Sequence, residues 1–358
     1  MNAPQTPADT APGTAAPSHG APHEVPVLDL STARLADGSR NPEFIERLRR
    51  AAHEVGFFQI VGYGADPQVP QHLLDTVAEF FRRPEEEREA LTNLNSPAFR
   101  GYTSLGKEIT RGRPDSREQI DYGPERPALD VAPEDNAYWK LQGPNQWPAE
   151  YPQLEETAMA WAERMSGVAH ELLSHLAVAI GLPEDQFTEA FERTPAWMAK
   201  LIHYVGGLKE AGSQGVGSHA DYGFITLLLQ DQIGGLEVQP HGSSEWLPVE
   251  PIPGALVVNL GEMLEVATDG YLMATIHRVQ APPEGVDRYA VPFFYSPRLD
   301  ATIEKVQLPP EYAADARGVS DDPENPMLAT YGENVLKGWL RAHPGVAAKQ
   351  HPELVSGS

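Results

Sequence analysis

The chain has 358 residues and carries 51 acidic against 27 basic side chains, a formal charge of −24. That balance argues against a polyanionic partner such as nucleic acid, and no apolar run reaches the roughly 18 residues of a membrane span. The lack of any cysteine excludes disulfides, thiolate metal sites and cysteine nucleophiles, and fits a reducing, cytoplasmic setting.

Residues 1–24 are rich in Ala, Pro, Thr and Gly and lack a basic-then-apolar signal pattern. Such a composition cannot bury a core, so a disordered tail is expected there. Residues 42–55 space their apolar groups at helical intervals, with Pro42 suited to the first turn. Residues 57–61 read as a buried strand after Gly56, and residues 67–81 as a second amphipathic helix. Residues 92–135 read as loop with short strands, and 150–181 as one long helix ending at Gly181. From 199 to 294 short β-rich runs alternate with turns such as Gly234-Gly235, Pro253-Gly254 and Asp269-Gly270, the pattern of an antiparallel sandwich or barrel. No internal repeat is present. The expected fold is mainly β with α additions: a double-stranded β-helix (jelly roll) core flanked by helices.

Two segments carry chemistry. Gly217-Ser218-His219-Ala220-Asp221-Tyr222-Gly223 holds a histidine and an aspartate two apart, and Thr275-Ile276-His277-Arg278-Val279 brings a second histidine 56 positions after the aspartate. In an extended strand His219 and Asp221 share a face while Ala220 points away, and His277 must arrive from a neighbouring strand. Two imidazoles and one carboxylate leave half an octahedron open, the usual site of a non-haem ferrous ion that must bind O2 and substrate together. Eleven positions further on, Arg288 enters the apolar run Tyr289-Ala290-Val291-Pro292-Phe293-Phe294-Tyr295. A buried guanidinium needs a partner, and its fork suits a carboxylate in two-point contact.

These residues, with Thr226-Leu227-Leu228-Leu229-Gln230-Asp231, Gly234-Gly235-Leu236-Glu237-Val238 and Val258-Asn259-Leu260-Gly261-Glu262-Met263, resemble the catalytic core of the 2-oxoglutarate- and iron(II)-dependent dioxygenases, in their isopenicillin N synthase-like branch. Val25-Pro26-Val27-Leu28-Asp29-Leu30 and Glu54-Val55-Gly56-Phe57-Phe58-Gln59-Ile60 resemble that family's amino-terminal region. The resemblance divides the chain into the tail (1–24), an amino-terminal dioxygenase region (25–130), a helical connection (131–196), the jelly-roll core (197–300) and a C-terminal helical extension and tail (301–358). It implies Fe(II) on His219, Asp221 and His277, and 2-oxoglutarate and O2 as co-substrates. It further implies Arg288 on the far carboxylate of 2-oxoglutarate, with Tyr204 donating a hydrogen bond there. Lys200, four residues earlier and so on the same strand face, could add charge. Asn259 reads as a structural amide rather than a ligand.

Where many relatives carry Arg-x-Ser, position 290 is alanine, which removes a hydroxyl from the acid's surroundings. Alanine there also occurs in the bacterial ethylene-forming enzymes, which share Gly101-Tyr102, Gly106-Lys107-Glu108-Ile109-Thr110 and Gly112-Arg113-Pro114-Asp115 with this chain. Arg100, Lys107, Glu108, Arg111, Arg113 and Arg117 make one charged stretch in an acidic protein. It is either a solvated loop or a reader of a small-molecule substrate such as an amino acid or another carboxylated metabolite. Lys107, Glu108, Arg113, Tyr222 and Phe294 are the candidate substrate residues. Tyr222 and Phe224 face away from the metal unless the strand ends there. The expected activity is oxidation of a small molecule with succinate and CO2 as co-products. Two alternatives stay open: an oxidase of the isopenicillin N synthase type that uses iron and O2 without 2-oxoglutarate, and a non-catalytic metal-binding jelly roll.

Overall fold

The computed structural model describes residues 24–132, 134–207, 214–320 and 325–355. The expected tail at 1–24 lies, apart from Glu24, outside the described residues. Fourteen strands follow one another among the described residues: β1 (Val27–Asp29), β2 (Phe57–Val61), β3 (Gly101–Thr103), β4 (Ile109–Thr110), β5 (Arg113–Pro114), β6 (Arg117–Tyr122), β7 (Met198–Val205), β8 (Gln214–His219), β9 (Ile225–Gln230), β10 (Leu236–Val238), β11 (Leu247–Pro248), β12 (Leu256–Leu260), β13 (His277–Gln280) and β14 (Asp287–Tyr295). Eight form a sheet in the order β1-β2-β12-β9-β14-β7-β6-β3, four form a second sheet in the order β11-β10-β13-β8, and β4 pairs with β5 alone. The β1–β2 pair is parallel and every other pair antiparallel. The two sheets face each other as the layers of a jelly roll, and the larger one does not close into a barrel.

Side-chain alternation splits the large sheet into two environments. Outward residues such as Leu201, Leu227, Leu229, Val291 and Phe293 join the main core with the helices Pro42–Arg50, Gln68–Phe81 and Gln153–Ala179. Inward residues Ile202, Tyr204, Val257 and Ala290 meet Val216, Leu236, Val238 and Val279 of the small sheet in a thinner apolar layer. Among the described residues no helix is long and apolar enough to cross a membrane.

The helices expected at 42–55, 67–81 and 150–181 form at Pro42–Arg50, continued by a π-turn at Ala51–Val55, and at Gln68–Phe81 and Gln153–Ala179; the strand at Phe57–Val61 forms as expected. The segment 92–135, expected to be mostly loop with short strands, carries β3 to β6, of which β6 is six residues long and buried throughout. Its inward residues Arg117, Gln119 and Asp121 join Glu108, Asp115 and Lys200 in a buried polar cluster, which erases the apolar half of the alternation. The helix Glu262–Ala267 interrupts the β-rich run and packs Met263 and Leu264 into the core.

Candidate functional site

His219 ends β8, and its Cα partner across the ladder is His277, the first residue of β13. The strand stops there, so Asp221 lies not in the strand, as its spacing suggested, but in the turn into β9. That turn is pinned by the next helix start: Glu262 N–H donates to Asp221 O (2.8 Å) and Gly261 N–H to Phe224 O (3.0 Å). A Cβ on Gly261 would meet Gly223 O at 2.2 Å and Asp221 O at 3.0 Å, so only glycine permits this approach. Phe224, freed from alternation with Asp221, is buried against Phe187 and Phe191.

The three side chains converge, with one donor atom from each lying within 4.8 Å of the others. Asp221 Oδ1 stands 3.7 Å from His219 Nε2 and 3.9 Å from His277 Nε2, beyond hydrogen bonding and short enough for one ion about 2 Å from each. The remaining polar atoms are satisfied. His219 Nδ1–H donates to Gly217 O (2.8 Å) and His277 Nδ1–H to Thr275 O (3.1 Å), which leaves both Nε2 lone pairs facing inward. Asp221 Oδ2 accepts from Thr226 Oγ1 (2.6 Å) and Asn259 Nδ2 (2.7 Å). Asn259 is thus a positioning group for the carboxylate, a role the sequence reading did not assign.

Electrostatics hold these groups in the ligating state. Burial and the neighbouring His219 push the His277 imidazole down to about 4, against the pull of Asp221. Burial likewise lowers His219. Burial acts to raise Asp221, but the two imidazoles with Thr226 and Asn259 prevail and its carboxyl lies below the usual range.

Arg288 is almost fully buried on the inner face of β14, opposite Tyr204 of β7. Its guanidinium lies 4.7 Å from the Tyr204 ring centroid, and Nη2 donates to Gln230 Oε1 (2.8 Å). Nε and Nη1 are buried with no protein partner. Orphaned donors on a buried cation call for an anionic acceptor, which a carboxylate supplies. Gln230 was not anticipated, because only the pairing of β9 with β14 brings it there.

The other candidates fall into three groups. Lys200 shares Tyr204's face, but its ammonium is taken up by Asp121 Oδ1 (2.7 Å) and Glu108 Oε1 (3.2 Å) and lies 4.8 Å from the Trp339 ring centroid. Glu108 is no solvated loop residue: it is buried, pairs with Arg117 Nη2 at 2.9 Å as well, and is held below the usual carboxylate range because Arg117, Lys200 and His343 outweigh its burial. Lys107 and Arg113 are exposed on the β4–β5 segment. Phe294 is half-buried on the Arg288 face of β14, while the Tyr222 hydroxyl reaches Asn325 Nδ2 (3.4 Å) and its ring edges the helix Tyr331–Ala342 at Gly338.

Comparison with known proteins agrees with this geometry. Residues 25–150 match the family described as non-haem dioxygenase in morphine synthesis N-terminal, and residues 197–297 the 2OG-Fe(II) oxygenase superfamily. A 2-oxoglutarate-dependent dioxygenase of Dothideomycetidae sp. (strain 11243) is 36% identical, covering 93% of this chain and 94% of its own length. A homoarginine-6-hydroxylase of Oryza sativa subsp. japonica is 32% identical over 79% of this chain and 88% of its own. The solved structure of a dioxygenase for auxin oxidation in rice superposes with a TM-score of 0.63 at 27% identity, covering 91% of this chain and 99% of that one. The protein is an enzyme of the 2-oxoglutarate- and iron(II)-dependent oxygenase superfamily, acting with Fe(II), 2-oxoglutarate and O2 on a small-molecule substrate.

Proposed function

We propose that His219, Asp221 and His277 hold Fe(II), that Arg288 and Tyr204 hold the far carboxylate of 2-oxoglutarate, and that the substrate is an amino acid or another carboxylated small molecule. The observation that carries the 2-oxoglutarate assignment is the pair of partnerless donors on buried Arg288. An oxidase without an acid co-substrate would leave that charge unpaired, at a cost of several kcal/mol. Ala290 adds no hydroxyl there, and Gln230 and Tyr204 line the space instead. The amino-acid reading is supported by the rice relative named for homoarginine. The cysteine-free sequence fits a cytoplasmic location.

When bound, iron and 2-oxoglutarate supply the oxidant that removes a hydrogen atom from the substrate, with succinate and CO2 as co-products. The chain's own part is ligation and placement. Thr226 and Asn259 keep Asp221 Oδ2 occupied so that Oδ1 faces the ion, and the Gly217 and Thr275 carbonyls fix both histidine tautomers. Phe57, edge-on to His277 at 5.1 Å, keeps one side of the site dry. Glu108 and Phe294 border the substrate space, with Lys107, Arg113 and Tyr222 at its rim.

Succinate release from 2-oxoglutarate, with bound iron measured in parallel, tests the reading. His219→Ala, Asp221→Ala and His277→Ala should each abolish succinate release and weaken iron binding while leaving the far-ultraviolet spectrum unchanged. A variant that keeps both at wild-type level would remove that residue from the metal site. Lys107→Ala should let succinate outpace product, and equal wild-type rates of both would take that residue out of substrate reading.

A further inference from the structure

Arg100 is a buried cation that no acid in the described protein contacts. It is 8% exposed and precedes β3, with its backbone fixed by Ser96 Oγ at N–H (3.1 Å) and by Gln146 Nε2 at O (2.6 Å). The guanidinium lies on Gly123: a Cβ there would stand 2.3–2.7 Å from three of its atoms, so this glycine makes the space the group occupies. Nε has no hydrogen-bond partner. The acids that act on it, Asp121 and Glu125, do so from a distance, and both Asp121 oxygens are engaged elsewhere. Asp121 Oδ1 is held by Lys200 and Oδ2 by Gln119, both at 2.7 Å, and Glu125 Oε2 accepts from Asn145 (2.8 Å). Burial outweighs the distant pull of Asp121 and Glu125 and pushes the Arg100 pKa down to about 10.

Arg100 lines a cavity of about 60 Å³ together with Arg126, Trp139, Trp197, Met198 and Trp339, and no carboxylate is among the lining residues. Arg126 spends one donor on Pro195 O (3.4 Å), and burial lowers its pKa too. Two cations, aromatic walls and no acid make a receptor for an anion carried on carbon.

The sheet register ties this cavity to the metal ligands. Phe57, Asn259, Thr226, Phe294 and Met198 are successive Cα partners across β2, β12, β9, β14 and β7. One end of this row touches His277, its middle holds Asp221, and its other end lines the Arg100 cavity. Thr226 and Met198 are two strands apart, about 10 Å at ordinary strand spacing. That is the reach of a small molecule. Arg288 lies six residues along β14 from Phe294, roughly 20 Å away, so the two arginine sites are separate.

We propose that this cavity binds the carboxylate of the primary substrate, with Arg100 as its two-point partner and Arg126 adding charge at the rim, so that the carbon chain runs past Met198 and Phe294 toward the metal. The proposal rests on the oxygenase reading above and deepens it: it names the residue that selects a carboxylated substrate.

Butyrate and its neutral isostere butyramide are the probes, titrated without oxygen onto enzyme saturated with Fe(II) and 2-oxoglutarate, so that Arg288 is occupied and nothing turns over. Binding is read by saturation-transfer NMR and by the fluorescence of the cavity tryptophans. Wild type should bind butyrate at least about tenfold more tightly than butyramide, the scale of a charge-assisted contact. Arg100→Gln should erase that preference, and Arg100→Lys should keep part of it, while 2-oxoglutarate affinity stays at the wild-type value in both. Failure of wild type to bind butyrate, or a preference that survives in Arg100→Gln, overturns the proposal. Loss of 2-oxoglutarate binding in wild type would instead sink the oxygenase reading, a separate result read in the same titration.

Discussion

At the scale of single residues, the site works by leaving selected atoms without protein partners and satisfying the rest. Asp221 shows the division: two donors occupy Oδ2, and Oδ1 is left facing the two imidazoles, as the proposed iron site requires. Partners of this kind commonly cost 10- to 100-fold in metal affinity or activity when lost, so Asn259→Ala and Thr226→Val should each weaken iron binding by about that factor. Equilibrium titration of Fe(II) against an optical chelator checks this, and unchanged affinity would show that the turn alone orients the carboxylate. Arg288 shows the same division, with one donor on Gln230 and two free. Arg288→Lys cannot copy a fork with a point charge. The loss of about 1.5–3 kcal/mol should raise the 2-oxoglutarate requirement roughly 10- to 150-fold, read from the concentration dependence of succinate release. An unaltered requirement would show that Arg288 does not hold the co-substrate.

Elements decide where these atoms stand. The β8–β13 ladder sets the two histidines face to face, and the end of β8 releases Asp221 into a turn that the helix Glu262–Ala267 braces from behind. Gly261→Ala inserts a methyl into the Gly223 carbonyl. The variant should move Asp221 away from the histidines and lower iron occupancy at least severalfold, with the β spectrum kept. A crystal structure showing Asp221 in place, together with full occupancy, would contradict the bracing role. The large sheet acts as a ruler in the same way: its register separates the Arg288 end from the Phe294 end of one strand face.

For the whole molecule, buried histidines tie stability to pH. Burial, with Arg40 beside it, pushes His175 down to about 4, and burial lowers His343 and His351 as well. The unfolded chain titrates such groups near 6.5. Between that value and the folded pKa the unfolded state binds more protons, so stability is full above pH 7 and is lost as pH falls toward 4. His175 is fully buried at its side chain, so it contributes in this direction. Urea midpoints of the metal-free protein should fall steadily from pH 7 to pH 5, and His175→Gln should flatten part of that slope. A midpoint independent of pH across this window would contradict the assignment.

Spacing alone carried much of the chemistry. That His219, Asp221 and His277 come together was legible because each has a side chain that a β-rich segment has no other use for; strand alternation placed the histidines but not Asp221, which reaches the cluster from the turn after β8. The long helices were legible for the same reason: their apolar period is read along the chain without reference to anything distant. What the linear order could not carry is every property set by a partner far away in it. Short strands were expected within 92–135, but no apolar alternation marked β6 among them, because its inward face is polar and is tolerable only beside Lys200 and Glu108. Gln230, Thr226 and Asn259 gained roles only when β9, β12 and β14 came together. Arg100 read as one charge in a stretch that was either a solvated loop or a substrate reader, and only the packing of Gly123 beneath it and the tryptophans around it made it a buried cation without an acid partner. A residue's chemistry is local, but its desolvation and its partners belong to the fold.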